Sequence, residues 1–261
     1  MKLTKQARNV VSQSIRYLRI SYMEAKSSQA GAYLGILWIP LSSILFSVTL
    51  ATVFKHSDKI SILEFCLYVL SGYTLWSFIS DLINSSVDVM QTKWDFAIHN
   101  RLGLFGLFAK QMSDKILEYV LNLFGIFVVM IVVAPNNIGP NILLFIIVLL
   151  IMATTYIPAA YLINVLTIFY PDLKALIRVA SRFLFFISPV FWMADGKSNS
   201  MREVLVHYNP ISYYLSLPRQ AVGVEPFSLS VWVVAISVTC FIILSGSIVY
   251  YYTHKFIRNL K

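Results

Sequence analysis

The chain has 261 residues, of which 58% are hydrophobic and only 13% are charged, and its mean hydropathy is +0.72. A soluble globular domain is about 45–50% apolar and about 25% charged, so this composition excludes an ordinary soluble enzyme or binding domain. The net charge of +9 would suggest a nucleic-acid partner in a soluble chain, but in a membrane chain it is first a topology signal.

The N-terminal segment is predicted to form a basic amphipathic helix on the membrane surface. It lacks the apolar core of about 7–15 residues that a cleavable signal peptide needs. Its less polar residues recur at steps of three and four: Leu3, Ala7, Val10, Val11, Ser14, Leu18 and Tyr22. Residues 1–31 are therefore assigned to a cytosolic interfacial helix. A soluble helix that packs on another cytosolic element is the alternative.

Six apolar segments follow, each long enough at about 1.5 Å per residue to cross most of a bilayer core of roughly 30 Å. They are Leu34–Phe54, Ile62–Ile83, Ile116–Ala134, Ile142–Ile163, Ala175–Trp192 and Val231–Tyr252. Their polarity does not alternate, which favours helices over a barrel, the other structure that satisfies its backbone in lipid. We therefore predict a single all-α polytopic membrane domain, with a six-span bundle over residues 34–252 and a cytosolic tail over residues 253–261.

The fifth predicted span differs from the others because it contains two charged residues, Arg178 and Arg182. One arginine at the centre of a membrane helix costs about 2.5–3.5 kcal/mol on insertion scales. Both side chains are therefore expected to reach the cytosolic interface or to face a hydrated interior.

Lysine and arginine residues are distributed unevenly between the two sides that these spans define. Sixteen of the 21 lie on the side of the N-terminal segment, the second and fourth loops and the tail. Cytosolic loops carry the excess of lysine and arginine in membrane proteins, so both termini are predicted to be cytosolic. Topology and the anionic inner leaflet thereby explain most of the basic charge, and no nucleic-acid partner is required.

Two connections are too long to be simple turns. Ser85–Lys115 is predicted to be cytosolic, and it carries aromatic side chains beside charges, which suits a docking surface: Lys93, Trp94, Asp95, Phe96, His99, Asn100 and Arg101. The alternative is a solvated helix that continues the second span. The outer connection Met193–Ser230 contains the apolar run Asn209–Pro218, which is too short to span and predicts a re-entrant or interfacial helix pair.

Several motifs of catalysis and cofactor binding are absent from the sequence. There is no G-x-x-x-x-G-K-[ST] loop for nucleotide phosphates, and neither H-E-x-x-H nor G-x-S-x-G occurs. The two cysteines lie in apolar segments and the four histidines have no metal-ligand spacing. We therefore predict a non-catalytic subunit without its own cofactor. Asp81 is a marginal candidate for an ion relay, so an ion-coupled transporter or an embedded transferase is a weaker alternative.

Aromatic residues make up 15% of the chain. Tryptophan and tyrosine often mark the membrane interfaces, but five of these residues lie well inside the predicted spans: Tyr68, Tyr73, Trp76, Tyr156 and Tyr161. Aromatic faces stack on flat ligand surfaces without strict selectivity, as they do on varied bases. These five residues are therefore candidates for lining a channel that conducts sugars.

Several sequence blocks occur in a characteristic order. They are Leu34-Gly35-Ile36-Leu37-Trp38-Ile39-Pro40 after the basic helix, Tyr170-Pro171-Asp172-Leu173 before the fifth span, Ser188-Pro189-Val190-Phe191-Trp192 at its end, and Asn209-Pro210-Ile211-Ser212-Tyr213 followed by Arg219. With these blocks the chain resembles, over nearly its whole length, the permease subunits of ABC-2 type exporters of bacterial surface polysaccharides. Permeases for O-antigen, capsule and teichoic acid are similar, and those for O-antigen are the most similar.

The resemblance implies a homodimeric permease in the bacterial inner membrane that works with two copies of a separate ATPase, which would bind ATP and Mg²⁺. The loop Lys93–Arg101 would hold the coupling helix that docks on the ATPase. A lipid-linked polysaccharide of the undecaprenyl-diphosphate type would pass between the two permeases. Its headgroup would be received by Arg19, Lys26, Arg178 and Arg182. The outer gate would be formed by Asn209, Pro210, Tyr213, Tyr214 and Arg219.

Other interpretations of the same features stay open at this stage. The four cations assigned to the headgroup also fit positive-inside topology alone. A permease for capsule or teichoic acid, an ABC-2 exporter of a drug or small lipid, and a non-transporting membrane scaffold are the alternative functions. Neighbouring genes for sugar nucleotides and glycosyltransferases would favour a polysaccharide substrate over a drug or small lipid. A scaffold would not stimulate a partner ATPase.

Overall fold

The computed structural model describes residues 2–28, 31–55, 60–100, 102–193 and 200–258, and all regular structure in these ranges is helical. Ten α-helices follow one another there: α1 (Lys2–Ser28), α2 (Trp38–Phe54), α3 (Ile62–Ser86), α4 (Val89–His99), α5 (Leu104–Val133), α6 (Leu144–Phe169), α7 (Leu173–Ile187), α8 (Met201–Tyr208), α9 (Pro210–Val222) and α10 (Leu229–Arg258). The all-α prediction is confirmed, and so is a helix in the N-terminal segment.

Five helical segments of the described residues are long and apolar enough to cross a membrane. They are Gly35–Phe54, Ile62–Ser86, Leu104–Val133, Pro140–Phe169 and Leu229–Phe256. The fifth predicted span corresponds to α7, which has only 15 residues and ends at Ile187 instead of continuing to Trp192. The residue before a proline is disfavoured in the helical conformation, and Ser188 before Pro189 is accordingly extended.

The centre of the bundle is α3. In its most apolar stretch of 18 residues, 67% of the residues are buried. The corresponding share in the other four long helices is 17–33%. It packs against α2, α5, α6, α7 and α9. The outward sides of the surrounding helices keep large apolar side chains exposed, among them Leu45, Phe124, Leu150 and Phe241. This inversion of an ordinary protein surface is what a hydrocarbon environment requires.

Local sequence signals explain where the central elements begin. Ser61 and Glu64 form a capping box at the start of α3: the Glu64 amide donates to the Ser61 hydroxyl (3.1 Å), and the Ser61 amide donates to the Glu64 carboxylate (3.2 Å). Asn209 caps α9 by accepting from the amide of Ile211 (3.0 Å), with Pro210 at the first helical position.

Long-range contacts define two ends of the bundle. At the first, which we call the basic end, the Lys110 ammonium near the start of α5 contacts Glu24 of α1. Near the same end, the Tyr161 hydroxyl late in α6 lies 2.8 Å from that of Thr253 late in α10. The opposite end contains the turns between α5 and α6, where Asn137 lies against Gly223 after α9. The N-terminal helix and the last turns of α10 therefore lie at the same end.

Asp81 of α3 and the four charged residues of α5 all form ion pairs. The Lys115 ammonium on α5 lies 3.0 Å from Asp81 on α3 and 2.9 Å from Glu118 one turn further along its own helix. Ion pairing is how membrane helices accommodate such residues. Asp81, the marginal candidate for an ion relay, is thus engaged by a cation.

Candidate functional site

A polar pocket of about 520 Å³ lies between α3 and α7. Five of its eight lining residues are polar and three are aromatic: Trp76, Ser80, Asn84, Arg178, Ser181, Arg182, Phe185 and Phe186. Two of the four cations predicted to receive a lipid headgroup therefore share one pocket. One of the five predicted channel aromatics, Trp76, lies beside them.

The position of α7 on α3 depends on two side-chain bonds. The Arg178 guanidinium lies 2.8 Å from the Asp88 carboxylate, which follows the end of α3. The buried Ser181 hydroxyl donates to the Asn84 side-chain carbonyl (3.1 Å). Because these residues are three apart on α7, they lie on one face of the helix and orient that face toward α3.

Arg182 lies one residue further along, and its guanidinium makes no hydrogen bond or ion pair with any of the residues that the structure describes. The pocket therefore holds one arginine neutralised by Asp88 and one unneutralised. Guanidinium groups bind phosphate and carboxylate through paired hydrogen bonds. The Trp76 and Phe185 rings, 5.8 Å apart, supply an apolar wall beside them. This arrangement can bind an anionic group whose neighbouring atoms are apolar or sugar-like.

The other two predicted headgroup cations are elsewhere. Arg19 and Lys26 are exposed on α1 and do not line the pocket between α3 and α7. That helix packs on the first turns of α5, where Tyr17 approaches Gly106. Its apolar residues Ile15 and Tyr22 remain exposed, as expected for a helix that contacts a membrane surface on one side.

The predicted channel aromatics do not share one pocket within the chain. The Tyr156 hydroxyl is buried 3.3 Å from that of Ser85, and Tyr73 packs on Phe46 of α2. The Tyr68 hydroxyl donates to the Trp192 carbonyl (3.2 Å). Tyr161 lines a second, apolar crevice between α5, α6 and α10. The role of these four residues in conducting sugars stays a prediction.

The predicted docking loop contains a separate helix, α4. It does not continue α3, because the helical path is interrupted at Val87 and Asp88. Of the predicted docking residues, Lys93, Asp95 and His99 are exposed, whereas Trp94, Phe96 and Asn100 are half-buried. Arg101 lies outside the described residues. The sequence reasoning missed Ile98, which is 60% exposed on the same surface.

A buried lysine joins α4 to its neighbours. Lys110 of α5 is only 5% exposed, and its ammonium contacts Glu24 of α1 and lies 2.9 Å from Asp114. The same ammonium lies 5.4 Å from the centre of the Phe96 ring on α4, within cation–π range. Lys110 therefore contacts three helices at the basic end.

Replacing Lys110 by methionine is expected to lower the free energy of unfolding by roughly 3 kcal/mol, because two carboxylates lose their buried counter-charge. Thermal unfolding of the purified protein in detergent measures this loss. Lys26→Met, a change at an exposed lysine, is the matched control and should leave the unfolding temperature nearly unchanged. Equal stability of the two variants would show that the Lys110 ion pairs contribute nothing.

The predicted outer gate is a helix pair, α8 and α9, at the opposite end. The Asn209 side-chain amide donates to the Ser188 hydroxyl (2.9 Å), and the Tyr213 hydroxyl donates to the His207 carbonyl (2.9 Å). The Tyr214 hydroxyl lies 2.7 Å from that of Thr239 on α10. These bonds attach α9 to α7, α8 and α10. Tyr213 is the member of this group that lines a small pocket between α8 and α9.

Arg219 is the most buried charged residue of the described chain, at 1% exposure. Its guanidinium donates to the carbonyls of Pro189 (2.5 Å) and Val190 (3.2 Å), in the turn after α7. It also lies 3.6 Å from the centre of the Tyr68 ring and 3.5 Å from the Glu225 carboxylate. Arg219, one of the residues predicted to form the outer gate, thus stabilises the irregular backbone after α7.

The backbone of α3 makes room for this guanidinium at Gly72. A β-carbon added at Gly72 would lie 2.5 Å from an Arg219 terminal nitrogen, closer than any real contact. No local pattern in the sequence points to this pairing, because the two residues are 147 positions apart.

Some site residues were missed although a signal existed. Ser181 and Asp88 both belong to the polar contact between α3 and α7. The polar spacing Arg178, Ser181, Arg182 on one helical face could have indicated Ser181.

Neither a protein-family model nor a curated protein matches the chain. The features that bear on its function are therefore the arginine pocket, α4 and the contacts of Arg219.

Proposed function

We propose that this chain is the membrane permease subunit of an ATP-driven exporter that moves a lipid-linked O-antigen polysaccharide across the bacterial inner membrane. The observation that carries the proposal is the pocket between α3 and α7, where Arg178 and Arg182 lie beside Trp76 on otherwise apolar helices. A lipid diphosphate offers a phosphate anion for the arginines and an adjoining sugar for the aromatic wall.

A sixth crossing by α7 is part of this proposal. The helix begins near Asp88 at the basic end, and the segment after it reaches Tyr68, which lies 20 positions earlier in the chain. Fifteen helical residues cover about 22 Å of a hydrocarbon core of about 30 Å, and the turn Ser188–Val190 continues from there toward Tyr68. The irregular part is acceptable in a membrane because Arg219 satisfies its carbonyls.

Contacts along α9 support a re-entrant pair. Tyr214 bonds Thr239, ten positions past the start of α10 and therefore about 15 Å from that end. Gly223, just after α9, lies against Asn137 in the turns between α5 and α6. The helix thus rises from inside the bundle to the opposite end, as a gate on the outer side would.

The basic end would face the cytosol and hold the energy-coupling surface. Sixteen of the 21 lysine and arginine residues were assigned to that side. There α4 exposes Lys93, Asp95, Ile98 and His99, a mixed surface that suits docking on an ATPase. Two copies of the permease and two of the ATPase, which would bind ATP and Mg²⁺, would form the exporter, and its substrate would move between the two permeases.

Deletion of the chain from its host is the first experiment. We expect loss of surface polysaccharide and accumulation of lipid-linked polymer inside the cell, both restored by the unmodified chain. Normal surface polymer in the deletion strain would refute the proposal. Accumulation of a capsule or teichoic-acid polymer would assign the substrate to one of the related classes, whereas export of a drug or small lipid alone would identify the other type of exporter.

Ile98→Asp is expected to weaken docking of the ATPase at least about tenfold, because burying a charge in place of an apolar anchor costs more than 1.4 kcal/mol. Co-purification and stimulation of the partner ATPase in liposomes measure the effect. Gln13→Asp adds the same charge to an exposed position of α1 and should change neither readout. Full stimulation by the Ile98 variant would remove α4 from the coupling surface, and no stimulation by the unmodified chain would favour a scaffold.

A further inference from the structure

A second cavity, of about 680 Å³, lies between α5, α6 and α10. Its lining is almost wholly apolar: Phe105, Phe108, Met112, Ala153, Thr154, Ile157, Pro158, Tyr161, Ile243, Gly246, Ser247 and Tyr250. It shares no lining residue with the arginine pocket between α3 and α7. It extends from Ala153, near the middle of α6, to the basic end, at Phe105.

The crevice is bounded by close and ordered contacts. At its inner part the backbones of α6 and α10 touch, because a β-carbon added at Gly246 would lie 2.5 Å from the β-carbon of Pro158. Nearer the basic end the Tyr161 ring contacts the rings of Phe108 (5.6 Å) and Tyr250 (5.1 Å) edge to face. A fixed apolar wall of this kind favours a hydrocarbon ligand over water.

The depth of the crevice points to the membrane itself as the source of that ligand. All three helices are among the candidate spans, and neighbouring outward side chains such as Leu150 and Phe241 are exposed and apolar. Toward the basic end the Tyr250 ring stacks on that of His254 (5.1 Å), and the exposed Lys255 follows. A hydrocarbon chain in the crevice would thus have its polar headgroup at a basic surface.

We propose that the crevice binds one acyl chain of an anionic glycerophospholipid, held as a resident lipid. The inference depends on the chain being a membrane protein and not on the proposed export function. The volume lies within the range of about 300–1,000 Å³ that is usual for small-molecule sites. Unlike the smooth lipid-exposed faces of these helices, the crevice contacts a bound chain on several sides, so it retains the lipid for longer.

Photolabelling tests the site directly. The purified full chain is placed in vesicles of phosphatidylethanolamine and phosphatidylglycerol that include phosphatidylglycerol with a photoreactive diazirine on its acyl chain. We expect adducts on Ala153, Ile157 and Ile243 to exceed those on the more exposed Leu150 and Phe241 by about tenfold, since a retained chain contacts the crevice continuously. Adducts that simply follow side-chain exposure would overturn the proposal.

A pair of variants on α10 separates filling of the crevice from a general effect. Ser247→Trp places a large ring in the crevice and should lower the adducts on Ala153 and Ile157 about tenfold. Ile248→Trp adds the same ring at an exposed position outside the lining and should leave them unchanged. Loss of adducts in both variants, or in neither, would contradict a chain bound in the crevice.

Competition identifies the source of the hydrocarbon. Excess unlabelled phosphatidylglycerol should reduce the adducts, whereas polyprenyl diphosphate at the same concentration should not. More effective competition by polyprenyl diphosphate would assign the crevice to the substrate's tail and overturn the resident-lipid proposal, without affecting the export function. Normal surface polymer in the deletion strain, together with lipid adducts in the crevice, would refute only the export function.

Discussion

Replacing Arg219 by methionine is expected to destabilise the protein by roughly 3 kcal/mol or more, the largest stability effect that the structure predicts. Methionine fills much of the space but donates no hydrogen bond, so the carbonyls of Pro189 and Val190 would be left buried without their donor. Thermal unfolding in detergent and the amount of folded protein in membranes measure the loss. Arg16→Met, at an exposed arginine of α1, is the matched control.

A double-mutant cycle with Gly72 tests the cause of that loss. Gly72→Ala should destabilise the unmodified chain by about 1–3 kcal/mol, because its new β-carbon would displace the Arg219 guanidinium. In the Arg219→Met background the same change should cost much less, since the displaced group is gone. If Gly72→Ala lowers the free energy of unfolding equally in the two backgrounds, the absence of a β-carbon at Gly72 does not serve to accommodate Arg219.

Loss of the positive charge in the arginine pocket is expected to have the largest effect on export. Arg182→Gln should reduce export at least about tenfold, because hydrogen bonds to a charged group contribute about 1.5–3 kcal/mol each. The Arg178→Gln, Arg182→Gln double variant should reduce it about a hundredfold or more. The amount of surface polysaccharide measures export. Binding of a lipid diphosphate to the purified protein measures recognition of the headgroup separately.

Conservative and neighbouring variants separate a binding role from a topology role. Arg182→Lys keeps the charge but not the planar pair of donors, so export should fall less than in the glutamine variant. Lys174→Gln removes a charge from the same helix outside the pocket and should leave lipid-diphosphate binding unchanged. If Lys174→Gln and Arg182→Gln have equal effects, the cations act only through positive-inside topology.

The arginine pocket and the contacts of Arg219 both involve α7, at its two ends. Toward the basic end α7 presents Arg178 and Arg182 to the pocket, whereas beyond its C-terminus the chain forms a turn whose carbonyls bond to Arg219. A change in the position of α9 relative to α3 would move the Arg219 guanidinium. The backbone after α7, which is hydrogen-bonded to that guanidinium, would move with it. The structure thus links α8 and α9 physically to α7, which carries the two arginines of the pocket.

Much of the fold could be predicted from local patterns. Long apolar runs specify helices of membrane length, because lipid offers no other partner for the backbone. Ser61 with Glu64, and Asn209 with Pro210, mark the starts of α3 and α9 through caps that involve only nearby residues. The aromatic and charged residues of Ser85–Lys115 indicate more than a simple turn, but no local pattern predicts that α4 separates from α3 at Val87 and Asp88.

The sequence by itself determined the class of protein, the places of the long helices and the end of the bundle at which basic residues gather, since hydropathy and charge are summed over neighbouring residues. Only the tertiary structure decided which cations share a pocket, which side chain satisfies the backbone carbonyls after α7, and that Arg219 is buried. Those outcomes depend on partners such as Asp88 with Arg178 and Gly72 with Arg219. Residues about 90 and 147 positions apart meet through helix packing, which leaves no periodic trace in either segment.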